Sequence, residues 1–498
     1  MTDVLNDLFI FELANNHQGS TTHALRIIAA MGEIARRHGV RAGVKFQYRD
    51  LDSFVHPDFK ARTDVPHIPR FMGTRLSADE FRGLVAAVHR EGLISVCTPF
   101  DEASVSLAVE HGVQVLKVAS CSADDWPLLE CVAATGKPLV ISTGGLSVRE
   151  IDSLARFAAN RRLAHALLHC IALYPTPNAL LNLAFISRMS VRYPGVPVGY
   201  SGHEDPADTT VVQLAVARGA GILERHVGLA ADGAPLNAYS LSPAQADAWV
   251  AAAVAARTAI GRSDVREITA AEQASLRSLK RGVYAARAVA SGTLLTRDDV
   301  FFAMPCEPGQ TTSGEFGRHR AVFTASRAYS AGEAIHEPWQ PDLISFTRDI
   351  IHEAQGLLHE AGIVIGDEVE VELSHHFGLA RFRDTGAIFI TIVNRDYCKK
   401  LAVLLPGQTH PVHHHRVKEE TFHLLWGDLV VTLDGRDVAL KPGGTLLVAP
   451  GSTHAFSSVG GAIFEEISTR SLKSDSVYDD ARIQRLDPME RKTILEQW

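Results

Sequence analysis

Cysteine is scarce in this sequence. Only 6 of its 498 residues are cysteine, and no two of them have CxxC spacing. This excludes a disulfide framework and is typical of reduced thiols in a cytoplasmic protein. Long apolar runs are also missing, because no window reaches the ~20 residues that a transmembrane helix needs. The first residues lack the basic segment of a secretory signal, so we expect neither a membrane anchor nor secretion.

No charge sign is strongly in excess, and no basic run occurs. Lys and Arg total 49 and Asp and Glu total 57, which leaves a net charge of −8. This balance argues against nucleic acid or an anionic membrane as the main partner. The sequence does have many histidines, 23 in all. Its length predicts about three domains of roughly 150 residues.

The first half of the sequence alternates short apolar, β-branched runs with longer segments of helical spacing. Eight strand-then-helix units in about 255 residues indicate an α/β protein with a (β/α)8 TIM barrel. The predicted strands are 7–12, 43–47, 93–97, 114–119, 138–142, 165–170, 196–200 and 222–226.

Three domains of unequal size follow from these patterns. The barrel occupies 1–265. Residues 266–344 begin with a polar linker and contain short strand-like runs between Gly-containing turns, which predicts a small β-rich domain. Residues 345–498 begin with a helical pattern and continue as alternating strands, which indicates a compact β-barrel. We expect the polar tail from 471 onward to pack as a helix or an arm.

Polar residues follow the predicted barrel strands at the ends where such a barrel places its active site. Lys45 and Lys117 lie inside apolar strands, and a buried ammonium needs a partner. One interpretation is a structural lysine–carboxylate pair across the barrel mouth. The other is a pair of cations that bind a phosphate or carboxylate, helped by Ser120 and the turn that begins at Ser142.

Two histidines, His203 and His226, lie at the ends of neighbouring predicted strands. Glu224 lies two residues before His226, and since the side chains of a strand alternate, both point to the same face. Two imidazoles can hold a divalent metal with open positions for substrate oxygen and water. Hydrogen-bonded core histidines are the alternative interpretation, and the spacing alone leaves both open.

Eight stretches, taken together and in order, resemble the sialic acid synthase family, which includes N-acetylneuraminate, legionaminate, pseudaminate and spore-coat polysaccharide synthases. The resemblance covers about residues 5–260, and the segment RGVYAARAVASGTLLTRDDVFF is similar to the antifreeze-like (SAF) domain of that family. The stretches are ELANNHQG, VKFQ, CTPFD, VLKVASC, PLVISTGG, LLHCIALYPTP, VPVGYSGHE and ILERHVGL.

The resemblance implies a homodimeric synthase that condenses phosphoenolpyruvate with an open-chain aldose to give a 2-keto-3-deoxy sugar acid and phosphate. It assigns a catalytic set that orients sugar and water, moves protons and polarises the aldehyde, with Mn²⁺ or Mg²⁺ on its two histidines. The catalytic set is Glu12, His203, Glu224 and His226. The phosphoenolpyruvate set is Lys45, Thr98, Lys117, Ser120, Ser142 and Tyr174.

Three positions depart from the family pattern. Ala172 stands where an Asn or Ser is usual, and Pro235-Leu236-Asn237 replaces a stretch that contains Asp-His in the N-acetylneuraminate branch. Ala303-Met304-Pro305 lacks the Arg that the SAF domain of the family usually offers to the partner subunit. We therefore predict an acceptor other than N-acetylmannosamine.

The run HPVHHHRVKEETFHLLWG carries the first cupin motif, with His413, His415 and Glu420 at the motif's spacing, and His454 follows in the second. Such a set can enclose one divalent metal, Mn²⁺, Zn²⁺, Fe²⁺ or Ni²⁺. A solvated histidine loop and a cupin that binds sugar only as a sensor are the alternatives.

The same run is similar to sugar-isomerase cupins of the D-lyxose isomerase type, which makes Lys418 and Glu419 candidates for contact with the sugar or for proton transfer. A fused isomerase would supply the open-chain aldose that the barrel consumes. The rival interpretation is a cupin isomerase or sugar-binding protein whose barrel has lost synthase activity.

Overall fold

A computed structural model describes residues 2–230, 236–263, 266–317, 322–337, 343–366, 369–472 and 474–495. The chain divides into two compact units, Met1–Arg266 and Glu267–Trp498. The further boundary at 344/345 stays a prediction. Across the described ranges, we find no helix with the length and hydropathy to span a bilayer.

The first unit is a closed barrel of eight parallel strands, which confirms the predicted fold and all eight predicted strands. Each strand pairs with the next in sequence, and the last pairs with the first. The strands are β1 (Phe9–Glu12), β2 (Ala42–Tyr48), β3 (Ile94–Pro99), β4 (Val115–Val118), β5 (Leu139–Ser142), β6 (His165–Cys170), β7 (Val198–Gly202) and β8 (Ile222–His226).

Helices follow the strands and bury their apolar faces against them. Several helices begin at a capping box, as at Ser77 and Glu80, where each side chain bonds the other residue's backbone N–H. The helices are α1 (Thr21–His38), α2 (Leu51–Phe54), α3 (Ile68–Gly73), α4 (Ala78–Arg90), α5 (Glu102–Glu110), α6 (Trp126–Ala134), α7 (Val148–Asn160), α8 (Ala184–Arg192), α9 (Thr210–Ala217) and α10 (Pro243–Ile260).

The barrel has two apolar cores. The larger one lies between strands and helices and includes Phe11, Phe46 and Trp249. A smaller one contains residues of β1, β3, β4, β5, β6 and β8, among them Ile10, Val96 and Leu168. Because the side chains of a strand alternate, the same strands that build these cores carry polar groups at their carboxyl ends.

The second unit begins with α11 (Ala270–Ser278) and the antiparallel pair β9 (Gly282–Ala285) and β10 (Val300–Ala303), followed by α12 (Ser313–Phe316). A separate small core around Val283, Phe323 and Ile335 holds this region together. The observed strands agree with the predicted β-rich pattern, while its assignment to the antifreeze-like family remains a prediction.

The rest of the unit is β-rich, as predicted for a cupin. It begins with the predicted helix, and its strands form two sheets in the orders β18-β15-β20-β13-β12-β11-β22 and β17-β16-β19-β14-β21. The elements are α13 (Leu343–Glu360), β11 (Glu370–Ser374), β12 (Ala387–Asn394), β13 (Tyr397–Leu404), β14 (Thr409–His415), β15 (Glu420–Gly427), β16 (Leu429–Leu433), β17 (Arg436–Leu440), β18 (Thr445–Val448), β19 (His454–Ser457), β20 (Ala462–Thr469), β21 (Ser476–Tyr478), α14 (Ala481–Gln484) and β22 (Lys492–Leu495).

The prediction for the polar tail was wrong in part. The tail contains the short helix α14, but it also adds β21 beside β14 and β22 beside β11. Thr493 and Ile494 pair with Leu373 and Glu372 there. Edge pairing requires only backbone groups, so a polar stretch can complete a sheet without a strand-like apolar pattern.

Candidate functional site

All ten barrel residues predicted to bind or catalyse line one cavity of about 520 Å³. The cavity opens at the carboxyl ends of the strands, and the residues come from all eight strands or the segments that follow them. They are Glu12, Lys45, Thr98, Lys117, Ser120, Ser142, Tyr174, His203, Glu224 and His226.

Two lysines and two glutamates form a buried ionic network in this cavity. Lys45 Nζ lies 2.5 Å from Glu12 Oε2 and 2.9 Å from Glu224 Oε1. Lys117 Nζ donates to both Glu224 oxygens, at 2.7 and 2.8 Å, and Ser201 Oγ donates to Glu224 at 2.8 Å. The structural interpretation of the lysines is therefore present, but in a cavity that a ligand can enter.

Burial and neighbouring charges push the pKa values of the two carboxyls apart. Burial, together with the Glu224 charge, raises the pKa of Glu12 despite Lys45 beside it. For Glu224, burial is outweighed by Lys117 and Lys45, which lower the pKa of the carboxyl. Burial lowers the pKa of Lys117 to about 8, although Glu224 opposes the shift. Glu12 is thus the carboxyl better suited to hold a proton.

Four predicted hydroxyls surround the network. Thr98 Oγ1 is buried and has no hydrogen-bond partner among the described residues. Ser120 Oγ accepts a bond from the Gly144 N–H at 2.9 Å, and the side chain of Ser142 is buried nearby in the cavity wall. An unpaired buried hydroxyl is costly, so Thr98 is positioned for a ligand acceptor.

The two predicted metal-binding histidines lie side by side. The ring centroids of His203 and His226 are 5.4 Å apart, and the Tyr174 ring lies 4.1 Å from His203. His203 Nδ1 bonds the Ile171 carbonyl at 3.1 Å, which leaves Nε2 as its free ligand atom. Burial lowers the pKa of His203 to about 4 and that of His226 well below its usual value. Both rings are therefore neutral at pH 7 and fit a divalent metal.

The cupin residues meet as predicted. One ligand atom from each of His413, His415, Glu420 and His454 lies within 4.8 Å of all the others. The four residues are buried and line a cavity of about 290 Å³. Of the described residues, this is the one group of three or more His, Cys, Asp or Glu with this geometry.

Hydrogen bonds on the far side of each cupin histidine fix its ring. The Nδ1 atoms of His413 and His454 bond the carbonyls of Pro411 and Ser452 at 3.1 and 3.2 Å, while His415 Nδ1 lies 3.3 Å from Ser476 Oγ. The Nε2 atoms therefore remain free to bind a metal.

The facing atoms of the cluster are left unsatisfied. His454 Nε2 approaches Glu420 Oε1 to 2.8 Å, yet neither Glu420 oxygen nor this nitrogen has a partner with hydrogen-bond geometry. Orphaned, buried donor atoms that converge on one point fit a divalent cation.

Of the two weaker cupin candidates, one lies in the cavity and one does not. Lys418 is buried, with Nζ 2.5 Å from Glu420 Oε2 and 2.9 Å from Glu466 Oε1. Glu419 is exposed and is absent from the cavity lining. The sequence did not single out Glu466, because it lies on β20 far from the cupin motifs.

Comparison with known proteins fits both halves of the chain. The model of the NeuB family matches residues 31–265, and that of the cupin domain matches residues 400–467. A Chromobacterium violaceum structure assigned as spore coat polysaccharide biosynthesis protein E is 43% identical, with a TM-score of 0.64, and covers 67% of this chain and 99% of its own. The chain belongs to the NeuB family.

Two curated relatives match different parts of this NeuB-family chain. Human N-acetylneuraminate-9-phosphate synthase is 29% identical over 301 residues, 58% of this chain and 80% of the human protein. The D-lyxose/D-mannose isomerase of Thermosediminibacter oceani is 28% identical over 176 residues, 29% of this chain and 97% of the isomerase.

The departures from the family pattern fall at different places. Ala172 lines the barrel cavity, whereas Leu236 lies beside Gly228 and Asn237 Nδ2 approaches Asn16 Oδ1 at 3.5 Å. Pro235 lies outside the described residues. Met304 is exposed in the second unit.

Sequence reasoning assigned no role to several cavity residues of this NeuB-family barrel, of which three stand out. Ser201 binds Glu224, Tyr239 packs at 5.1 Å from His226, and Arg49 lines the cavity wall. The sequence did contain a signal for Arg49. It lies at two-residue spacing from Gln47 and Lys45, so its side chain is expected on the same face of the strand.

Proposed function

We propose that the barrel condenses phosphoenolpyruvate with an open-chain aldose, giving a 2-keto-3-deoxy sugar acid and phosphate. The observation that carries the proposal is the buried network of two lysines and two glutamates in a cavity at the strand ends of a NeuB-family barrel. The human relative named as a synthase supports the same reaction class.

The lysines and hydroxyls are suited to the phosphoenolpyruvate anion. Lys45 and Lys117 supply positive charge, and Thr98, Ser120 and Ser142 supply hydroxyl donors in a partly dehydrated site. Binding the anion releases part of the lysine charge from Glu224. Because the lysines lower its pKa, Glu224 stays ionised and holds both ammonium groups in position.

His203 and His226 would hold the divalent metal, Mn²⁺ or Mg²⁺, which would supply Lewis acidity to the aldehyde oxygen. The enol carbon bonds the aldehyde carbon, and C2 gains cationic character. Water adds at C2, and the C2–O bond to phosphate breaks. Glu12, with its raised pKa, exchanges the protons of the sugar oxygen and the water, while the lysines stabilise the phosphate that leaves.

Phosphate release from phosphoenolpyruvate across an aldose panel, with and without Mn²⁺, tests the reaction. We expect His203→Ala and His226→Ala to abolish it. His165→Gln is the matched control, since His165 begins β6 at the opposite end of the barrel. Unchanged turnover in the first two variants, or no release with any aldose, would contradict the proposal.

The acceptor, by the same proposal, is an aldose other than N-acetylmannosamine, because Ala172 stands in the cavity wall where the family pattern has a polar residue. Comparable turnover of N-acetylmannosamine and the other aldoses of the panel would count against this. We also propose that the protein is a cytoplasmic homodimer. Sedimentation of the purified protein tests the oligomeric state.

We propose a second activity for the cupin, an aldose–ketose isomerisation that supplies the barrel. The converging ligand atoms of its histidine–glutamate cluster and the isomerase relative support it. Binding of sugar without turnover, as a sensor, is the alternative. Full-length protein with Mn²⁺ should interconvert an aldose–ketose pair, and an absence of interconversion across a panel would leave only binding.

A control for the proposed metal ligands of the cupin lies on the same strand as two of them. His414 lies between His413 and His415 on β14 and faces away from the cavity. His413→Ala should lower the bound metal by one equivalent per chain, whereas His414→Ala should not. Equal metal content in both variants, measured by mass spectrometry of the dialysed protein, would refute the assigned ligand set.

A further inference from the structure

The charges of the barrel cavity do not cancel. The two lysines and two glutamates of the buried network compensate one another. Of the charged side chains that line the cavity, this leaves Arg49 and Arg70. In the described part of the chain, neither has a carboxylate oxygen within ion-pair distance. The cavity therefore carries excess positive charge that no side chain of the described residues balances.

Arg49 is held in a fixed plane at the cavity wall. It directly follows β2, and its guanidinium carbon lies 3.6 Å from the ring centroid of Phe100 and 4.1 Å from that of Phe71. Nη1 donates to Gln47 Oε1 at 3.1 Å. Stacking between two rings orients the planar fork of an arginine without using its hydrogen-bond donors.

The donors of Arg49 are only partly used. Its Nε is buried and has no partner among the described residues. Two carboxylates act on it at longer range, and both are already engaged. Asp101 accepts from the N–H groups of Asp50 and Ser104 at 2.8 and 2.7 Å, and Glu12 is bound to Lys45.

A half-buried cation without a counter-ion is costly to the folded protein. Burial lowers the pKa of Arg49 to about 10, so the side chain remains charged at pH 7. A cost of this kind at a cavity wall is offset when a ligand brings the missing negative charge.

We propose that Arg49 binds an anionic group, phosphate or carboxylate, of a substrate in the barrel cavity. The inference rests on the proposed condensation and deepens it by adding a recognition residue. The anion belongs either to phosphoenolpyruvate or to a charged substituent on the acceptor aldose. Arg70, on the exposed side of the same cavity, adds long-range attraction.

Calorimetry on the full-length protein with Mn²⁺ tests this. The titrants are phosphoenolpyruvate, inorganic phosphate, and the pair D-mannose and D-mannose 6-phosphate. Arg49→Met removes the charge, and Arg49→Lys keeps it without the planar fork. Arg75→Met is the control, since Arg75 belongs to the same connection between β2 and α4 but is already paired with Asp52 at 2.5 Å. Thermal melting verifies that each variant is folded.

We expect Arg49→Met to weaken binding of an anionic titrant by about tenfold to a hundredfold, with Arg49→Lys between it and the parent. If Arg49→Met loses affinity for phosphoenolpyruvate, the anion belongs to that substrate. A loss of affinity for D-mannose 6-phosphate without one for phosphoenolpyruvate makes the acceptor the source. A loss confined to inorganic phosphate supports the anion site for either source. Equal affinities of Arg49→Met and Arg75→Met for every anionic titrant would overturn the proposal. If the parent protein binds no phosphoenolpyruvate, the proposed condensation is contradicted. The titration with inorganic phosphate still shows whether Arg49 binds an anion.

Discussion

The charge of Lys117 depends strongly on its surroundings. It is buried, and among the described residues only the Glu224 carboxylate pairs with its ammonium. Since burial lowers its pKa to about 8, the proton that would attract phosphoenolpyruvate is held less firmly than on an ordinary lysine.

We expect the affinity for phosphoenolpyruvate to fall as the pH rises through about 8, because Lys117 then loses its charge. Stability changes in the opposite sense. Between pH of about 8 and the usual pKa of 10.5, Lys117 binds more protons in the unfolded chain than in the folded one. The free energy of unfolding therefore increases as the pH rises through this range. The pH profile of kcat/KM for phosphoenolpyruvate measures the first effect. Lys117→Arg should move its alkaline limb to higher pH, and an unmoved limb would exclude Lys117.

A second buried pair lies next to His203 and His226, the histidines proposed to bind a metal. Glu204 follows His203 and Arg225 precedes His226, and the two charged side chains pair with exposures of 0% and 1%. Tyr200 donates to Glu204 at 2.8 Å, and Arg225 Nη2 donates to the Glu204 carbonyl at 2.9 Å. The pair therefore ties the ends of β7 and β8 together.

Glu204→Gln should lower the free energy of unfolding of the barrel by about 3 to 5 kcal/mol, because it leaves Arg225 buried without a counter-charge. The control is Asp152→Asn, which breaks the exposed Asp152–Arg192 pair. We expect it to lower the free energy of unfolding by only about 0 to 1 kcal/mol. Urea denaturation measures both. Losses of similar size would show that Glu204 does not compensate Arg225.

Among the elements, β7 has no room for a side chain at Gly199, which faces β8 and Leu168 of β6. A Cβ there would lie 2.4 Å from the Ile222 carbonyl oxygen and 2.5 Å from a Leu168 methyl. Backbone of a closed barrel cannot move aside without disturbing its neighbours, so this contact requires glycine.

Gly199→Ala should destabilise the barrel and reduce metal-dependent activity, because the strand ends that carry His203 and His226 must separate. Gly83→Ala is the control. Gly83 lies in α4 with open space around its Cβ position, so alanine should stabilise by about 0.5 to 1 kcal/mol. Thermal melting decides, and equal melting temperatures for the two variants would argue against the close contact.

For the whole molecule, two compact units each carry a complete candidate site. The proposed reactions can therefore be separated by substitution. If the cupin supplies the aldose, phosphate release from phosphoenolpyruvate should occur with the matching ketose alone.

Glu420→Gln should abolish the ketose-dependent phosphate release and leave the aldose-dependent release intact, whereas His226→Ala should abolish both. A coupled phosphate assay with each sugar measures this. Ketose-dependent release that survives in Glu420→Gln would separate the cupin from the barrel reaction.

The strand positions and the histidine–glutamate cluster of the cupin could be predicted because their signals are local. A buried parallel strand is an apolar run that recurs with each strand–helix unit, and the cupin ligands keep fixed spacings on neighbouring strands. The strand ends then follow, and with them the residues that face the cavity. The tail strands β21 and β22 had no such signal, since backbone pairing at a sheet edge places little demand on side chains.

The sequence by itself determined the barrel, the cupin strands before the tail and most of the proposed ligand-binding side chains in each cavity, since alternation and spacing act along the chain. Only the tertiary structure decided how the charges pair. Lys117 and Glu224 meet across the barrel, and Phe71 and Phe100 reach Arg49 from two different connections. Coulombic and stacking contacts depend on distance in space, which closing the barrel sets and sequence separation does not.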